Sequence, residues 1–286
     1  MASVRDIKRH IKSVGNIKKI TKTMQMVAGA KMTKTLSTLL ASRPYAQLAW
    51  NLLLNLAPKT ERELHPLLQK RDIKNTLIVL ITSDRGLCGA FNMNLIMETM
   101  KLIKDKETSY ILAVGRKGRD FFIRRGYKVI AEFTGLGAPV PFISITPISQ
   151  IIIDEFIKGN VDEVKLVYSD YVSNVVQRPT VLQLLPFQQE QPEEPFLAQF
   201  IYEPSPKEVI DTLLVRIIEY KIYAAVLESQ ASEFSARMMA MKNATENAEN
   251  LIQSLTLSYN KARQEGITKE LTELSTTKAV IESLGK

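Results

Sequence analysis

The stretch Leu227–Gly266, LESQASEFSARMMAMKNATENAENLIQSLTLSYNKARQEG, repeats small or apolar residues at alternating steps of four and three. The series runs Leu227, Ala231, Phe234, Met238, Met241, Thr245, Ala248, Ile252, Leu255, Tyr259, Ala262 and Gly266, with Thr245 its one polar break. A spacing averaging about 3.5 residues is the heptad signature, which keeps one narrow seam facing a partner helix as the two supercoil left-handedly. Around it, Lys207–Lys286 holds no proline and only two glycines, Gly266 and Gly285. At 1.5 Å rise per residue, one helix of roughly 120 Å is predicted. No ordinary globular core needs so long a helix, so a shaft leaving a compact body is expected.

The N-terminus repeats the pattern. Met1–Arg43 also lacks proline, and Val4, Ile7, Ile11 and Val14 step by three and four. The apolar phase then slips by one short step to Ile17, Ile20, Met24 and Val27. This slip predicts a stammer, a local overwinding of the coiled coil. Two heptad helices at opposite ends of a chain pair most simply as an antiparallel hairpin with everything between them inserted at its open end. A parallel pair would need a connection spanning the whole shaft.

Charge is concentrated in the first helix. Residues 1–43 carry ten Lys or Arg against the single acid Asp6, a net of +9, while the whole chain is +8. The remainder is therefore close to neutral, and the basic balance belongs to one helix. A merely solvated helix face mixes acids with bases. One sign alone points to an acidic partner: nucleic acid, an anionic membrane or an acidic protein surface. The acid-poor start also has the composition of an organellar transit peptide, but the apolar pattern continues past presequence length and matches the C-terminal seam. No signal peptide is visible, and no run reaches the roughly 18 apolar residues of a membrane span. Cys88 is the only cysteine, so no disulfide framework or dithiol switch is available within the chain. The reading is a cytosolic or peripheral membrane protein.

Between the helices the periodicity changes. TLIVLIT (Thr76–Thr82) is a continuous β-branched run of the kind found in a buried strand. SDRGLCGAFN follows, then a helix over Asn92–Lys104, a strand over Tyr110–Gly115, a short helix over Arg116–Arg125 and a strand over Tyr127–Glu132. Thr146-Pro147 has the form of a helix start, with an N-cap hydroxyl and proline at the first helical position, leading into Ile148–Lys158. Val164–Ser169, Pro179–Leu185 and Leu197–Tyr202 complete the strands, and QQEQPEEP (Gln188–Pro195) is a polar loop. Alternating strand and helix argue for a small α/β domain on a mostly parallel sheet. The expected organisation is an N-terminal helix over 1–57, an α/β domain over 58–206 and a C-terminal helix over 207–286.

Chemistry is hard to place in this domain. Gly86-Leu87-Cys88-Gly89 follows the first strand, where glycine turns cradle phosphates in nucleotide folds. It is neither GxGxxG nor a Walker A loop, and no lysine stands in the Walker position. A tight strand-to-helix turn capped by Asn92 explains Asp84, Arg85 and the glycines as well. His10 and His65 are the only histidines, and neither has the spacing of a metal site or a Ser-His-acid arrangement. Cys88 beside a strand fits a packing role. No catalytic, cofactor or metal site is expected.

Several segments resemble the gamma-subunit family of F-type rotary ATP synthases. They are IKKITKTMQMVAGAKM (Ile17–Met32), RPYA (Arg43–Ala46), ITSDRGLCGAFN (Ile81–Asn92), SARMMAMKNATENAENLI (Ser235–Ile252) and SYNKARQEGITKELTEL (Ser258–Leu274), in the family's order. One departure is Thr277-Lys278, where the family usually has Gly-Ala. The two-cysteine redox insertion of chloroplast members is absent, which points to the bacterial type.

The resemblance implies a curved coiled-coil shaft inside a ring of three alpha and three beta subunits, with one gamma per complex. The Rossmann-like α/β domain is the foot, docked with the epsilon subunit on the membrane-embedded c-ring. ATP, ADP and Mg then belong to alpha and beta, and this chain binds no cofactor. It would lie on the cytoplasmic face of the bacterial membrane, touching the membrane only through the c-ring. Lys18, Lys19, Lys22, Lys31 and Lys34 would meet acidic lever loops of beta, with Met24 and Arg237 beside the same contact. Arg263 and Gln264 match a pair that bonds a catch loop of beta, followed in the bearing by Thr268, Glu270 and Glu273. Tyr202, Glu203 and Lys207 would face the c-ring and epsilon. Two rivals carry their own tests. A basic hairpin gripping nucleic acid would bind in a salt-dependent way, although no aromatic precedes Tyr45 to supply stacking. A nucleotide enzyme on the α/β domain would bind ATP tightly and lose it on changing Gly86 and Gly89.

Overall fold

In a computed structural model, TLIVLI forms the central strand of a sheet, with Leu77–Leu80 fully buried. The structure describes residues 4–56, 65–69, 71–187, 203 and 205–284. Helix α1 spans Val4–Leu56 and helix α5 spans Pro206–Leu284. Between them lie β1 (Thr76–Ile81), α2 (Phe91–Leu102), β2 (Ser109–Val114), α3 (Arg116–Arg124), β3 (Lys128–Phe133), α4 (Thr146–Ile157), β4 (Glu163–Tyr171) and β5 (Gln177–Leu185). The sheet order is β3-β2-β1-β4-β5, parallel except for the edge strand β5, which runs antiparallel to β4. These elements match the sequence expectation closely. The expected strand Leu197–Tyr202 and the loop Gln188–Pro195 lie outside the described residues.

Both faces of the sheet are covered, which is why β1 reads as an unbroken apolar run rather than an alternating one. Leu77, Val79, Leu112 and Leu166 point to one face, against Ile148, Ile152 and Phe156 of α4 and Ile218, Ile222 and Val226 of α5. Ile78, Leu80, Ile111 and Val167 point to the other, against Phe91 and Leu95 of α2 and Phe122 of α3. The period of two along each strand assigns the faces.

Contacts divide the chain into two units, one made of α1 as far as Met26 with α5 from Ala240, the other of Val27–Met239. The second unit draws Leu39 of α1 and Ile210–Leu227 of α5 into the domain core, reaching past both ends of the expected 58–206.

The first unit is an antiparallel helix pair. Lys18 Nζ lies 2.8 Å from Glu249 Oε1, and the Thr21 and Thr245 hydroxyls are 2.8 Å apart. As α1 advances α5 retreats. Each of the two hydroxyls also reaches a carbonyl of its own helix, Lys18 O at 3.1 Å and Met241 O at 2.8 Å. A satisfied polar pair in an apolar seam holds one register, since a slip would bury each hydroxyl without its partner.

The α5 seam behaves as the heptads predict. Every residue of the series from Leu227 to Gly266 is buried or half-buried, while most residues between its members past Met241 are exposed. The stammer expected in α1 does not occur. Ile17, Ile20 and Val27 are 50%, 58% and 50% exposed. The covered positions after Val14 include Lys18, Thr21, Gln25, Ala28, Met32, Thr35 and Leu39, an unbroken alternation of four and three, with Gly15, Met24, Gly29, Leu36 and Thr38 half-buried beside it. The physical reason is seam width. Where the register is set, the small side chains of Thr21 and Thr245 meet and let the helices approach. The bulkier Ile17, Ile20 and Val27 then face outward. A second expectation also fails: Thr146 opens α4 as its first residue, the N-cap is Ile145, and no side chain caps it.

Candidate functional site

The exposed face of α1 combines cations with bulky apolar groups. In the helix-pair unit, Lys19 and Lys22 are exposed, Lys22 reaching Gln25 Oε1 at 3.4 Å, and Met24 is half-buried. Lys18 differs from them because its ammonium is engaged by Glu249. Farther along that unit, Arg263, Gln264, Thr268, Glu270 and Glu273 are all exposed on α5. Gln264 and Thr268 line one shallow open groove with Lys261 and Lys269, and Lys269 sits 3.8 Å from Glu273. Leu257, Leu271 and Leu274 stand out from the same helix, more than half exposed. A helix with an inward seam and a second outward set of leucines and isoleucines has apolar surface left for a partner.

In the α/β unit, Lys31 and Lys34 are exposed, with the Lys31 ammonium 5.6 Å from the centre of the Phe234 ring. Arg237 is placed differently from the lysines. Its side chain is only 12% exposed, with Nη1 2.7 Å from Glu233 Oε1 and Nη2 donating to the carbonyls of Arg85 and Gly86, each at 3.3 Å. Burial pushes the Glu233 carboxyl up, and Arg237 opposes that rise. Glu203 is exposed. Tyr202 and the side chain of Lys207 lie outside what the structure describes.

At the carboxyl edge of the sheet, the SDRGLCGAFN loop is held by its own side chains. Asn92 stands inside α2 instead of capping it: its Oδ1 accepts the Ser83 N–H at 3.0 Å, and its Nδ2 donates to Cys88 Sγ at 3.2 Å. Cys88 is buried, and that burial raises its thiol above the ordinary value, the reverse of what a nucleophile needs. Asp84 accepts the Arg116 N–H at the start of α3 (3.0 Å) and the Gly135 N–H (2.8 Å). The first amide of α3, where a phosphate would seat, thus faces an internal carboxylate. In an open α/β sheet ligands enter where strand order reverses, here between β1 and β4. At that place α5 itself lies across the edge, with Arg237 on the loop after β1 and Ser232 Oγ donating to Ser169 O of β4 at 3.1 Å. Among the described residues no group of three His, Cys, Asp or Glu could hold a metal ion, and no helix is long and apolar enough to cross a membrane.

Residues 3–279 match the ATP synthase family. The ATP synthase gamma chain of Desulforamulus reducens is 42% identical over 284 residues, 99% of this chain and 100% of that one. The chain belongs to the ATP synthase gamma-chain family. Its relative of the same name from Dehalococcoides mccartyi strain BAV1 is 44% identical over 277 residues, 96% of this chain and 97% of that one. A chain in the central stalk and c-ring structure of Tetrahymena thermophila mitochondrial ATP synthase superposes with a TM-score of 0.62 at 25% identity, covering 79% of this chain and 99% of the other. A chain of the Euglena gracilis mitochondrial enzyme shares the gamma-family fold over 99% of this chain and 96% of its own, with a TM-score of 0.70 and 20% identity.

One titrating group that sequence reading missed lies in the α/β unit. The Glu228 carboxyl of α5 is pushed up to about 7, first by burial and then by Asp170 of β4, against the pull of Arg43 of α1 and of the Tyr168 hydroxyl. No local motif marks it, because the groups that perturb it come from two other elements, β4 and α1. A raised folded value means that the native state holds its proton more tightly than the unfolded chain. The associated stability is full below about pH 4.5 and is lost as pH rises toward 7. With partial solvent screening this is worth about 2 kcal/mol. Glu228→Gln is therefore expected to stabilise the chain by about 1–2 kcal/mol at pH 8 and to change little at pH 4.5. Urea unfolding of both proteins at the two pH values tests this, and equal differences at both would refute it.

Proposed function

We propose that the chain is the central rotor stalk of a bacterial F-type ATP synthase, carrying torque between the c-ring and the alpha3beta3 head and coupling proton flow to ATP synthesis. The observation that carries this reading is the long antiparallel helix pair whose small, partly polar seam is closed, while lysines and bulky apolar residues on its outer face stay uncovered. A sleeve around the shaft would cover them. Lysines suit a turning contact because a flexible point charge exchanges carboxylate partners without a fixed bidentate geometry. An asymmetric shaft presents a different face to each beta subunit at each angle, and so shifts each catalytic site among its states by differential contact.

In this reading the chain does no chemistry itself, and the nucleotides and Mg act in alpha and beta. The filled carboxyl edge, the buried thiol of Cys88 and the Asp84 carboxylate at the start of α3 support that division. The α/β domain would be the foot, meeting epsilon and the c-ring, with the chain peripheral to the cytoplasmic face of the membrane. The test is co-expression with the cognate alpha and beta subunits, mass determination, and observation of a bead attached through Lys117→Cys. Cys88 is unsuitable for attachment, being 1% exposed. One gamma per three alpha–beta pairs, turning in ATP-driven steps of about 120°, is the expected result. Absence of a complex, together with salt-sensitive binding to nucleic acid, would overturn it.

A further inference from the structure

Helix α5 meets the α/β domain through two kinds of contact. From Ile210 to Leu227 it buries apolar side chains in the domain core. Such contacts resist separation through close packing, but the hydrophobic attraction itself has no direction. Over the next two turns the contacts become polar. Gln230 Nε2 donates to Gly137 O at 2.7 Å while its Oε1 accepts the Val140 N–H at 3.1 Å. Ser232 donates to Ser169 O at 3.1 Å, Ser235 to Asn174 O at 2.7 Å, and Arg237 to Arg85 O and Gly86 O.

The partners of these four side chains share two properties. Every acceptor that the domain offers these side chains is a backbone carbonyl, and the carbonyls belong to the loops after β1 and β3 and to the end of β4 with its following turn. Ser232 and Ser235 are fully buried. A buried hydroxyl requires some acceptor, and on a helix a carbonyl four residues back would serve, as it does for Thr35 and Thr245. Here the hydroxyls reach across to the domain instead. Hydrogen bonds weaken steeply with angle, so bonds fanned around two helical turns onto separate loops fix the rotational setting of α5 as a key fixes a hub.

We propose that Gln230, Ser232, Ser235 and Arg237 form a keyed collar through which torque passes between the α/β domain and helix α5. This rests on the rotor reading and places Arg237 as a positioning residue inside the chain. The experiment uses the whole synthase in inverted membrane vesicles, comparing wild type, Arg237→Lys, Arg237→Met, and Arg237→Met combined with Ser232→Ala and Ser235→Ala. Two quantities are read: proton pumping per ATP hydrolysed, and the rate at which a maleimide labels Cys88, which lies two residues beyond the last clamped carbonyl. The triple variant is expected to hydrolyse ATP within about two-fold of wild type, pump at least five-fold fewer protons per ATP, and label at Cys88 at least ten-fold faster. Arg237→Met alone should show the same signs at smaller size, and Arg237→Lys should restore most of both. If the triple variant does not assemble, Arg237→Met decides the matter by the same two readouts. Faster Cys88 labelling with an unchanged pumping ratio would reduce the collar to a structural clamp and overturn the proposal, as would no change in either. Failure of the wild-type chain to pump would instead count against the rotor reading.

Discussion

Replacing Gly115 by alanine is expected to lower the melting temperature of the chain by about 10 °C or more, the largest stability loss anticipated for a one-methyl change. Gly115 joins β2 to α3 with φ of 101°, a conformation that L side chains rarely adopt. A Cβ there would overlap the carbonyl oxygen of Thr82. The neighbouring backbone has no freedom to yield. Gly115 N–H donates to Phe133 O at 2.8 Å, Thr82 N–H to Val114 O at 2.7 Å, and Gly118 N–H to Thr82 Oγ1 at 2.9 Å. Backbone strain of about 1–3 kcal/mol therefore adds to the cost of prising β1 from β2 at the carboxyl edge. A combined loss of about 4 kcal/mol corresponds to a shift of roughly 8–16 °C in a domain this size. Gly118→Ala should follow the same direction, because its Cβ would come within 2.9 Å of both Leu80 Cδ2 and Thr82 Oγ1. Circular dichroism melts give the result, and a Gly115→Ala chain melting within about 3 °C of wild type would show that the edge can open without cost.

Glycines of this kind mark a limit of the sequence. The β-branched run Thr76–Thr82 announces a strand covered on both faces, and the heptads of α5 announce its seam, because each pattern repeats over many residues and a single face decides it. Gly115 sits between a strand and a helix and reads only as punctuation. Its closeness to Thr82 depends on the parallel pairing of β1 with β2, which no local pattern states. The seam of α1 shows a different failure. Choosing the most apolar phase selects Ile17, Ile20 and Val27, but the helix pair closes on Thr21, whose hydroxyl meets that of Thr245 on α5. Hydrophobicity identifies surface that will be buried somewhere. It does not say whether the chain or a partner does the burying.

The candidate contact residues divide along the same line. Lys19, Lys22, Lys31 and Lys34 are legible from charge alone, since ten cations against one acid need an acidic counterpart. Lys18 belongs to the same basic population and Arg237 carries the same charge on α5, but Glu249 and Glu233 engage them within the chain. The acids that do so lie on the other long helix or one turn away, so composition counts all these cations as equivalent. Gln230, Ser232 and Ser235 read as ordinary polar positions between seam residues. Their partners are loops 60 or more residues distant.

Reversing the charge at Lys19, Lys22, Lys31 and Lys34 together is expected to cut ATP-driven proton pumping at least ten-fold at normal complex yield. Lys18 is best left intact, since changing it would strand Glu249, 2.8 Å away, and mix a hairpin defect with a contact defect. The four chosen residues are exposed, so their substitution leaves the helix-pair seam as it is. A variant that keeps Lys31, which lies over Phe234 and acts on Glu233, separates any effect on the domain core. In the proposed function, each reversal would convert attraction toward an acidic lever into repulsion. At a partly exposed interface one such pair is worth up to about 1 kcal/mol, and four reversals acting together exceed the 1.4 kcal/mol that a ten-fold change in an equilibrium requires. Assembly should survive, because the outward Leu257, Leu271 and Leu274 supply apolar contact that charge does not touch. Salt provides an independent check. With a screening length near 10 Å at 0.1 M ionic strength, raising salt should weaken wild-type coupling and partly relieve the defect of the reversed variant, since it screens attraction and repulsion alike. Normal pumping by the variant at normal yield would mean that the lysines only keep the shaft hydrated, and that torque reaches the head through its apolar face alone.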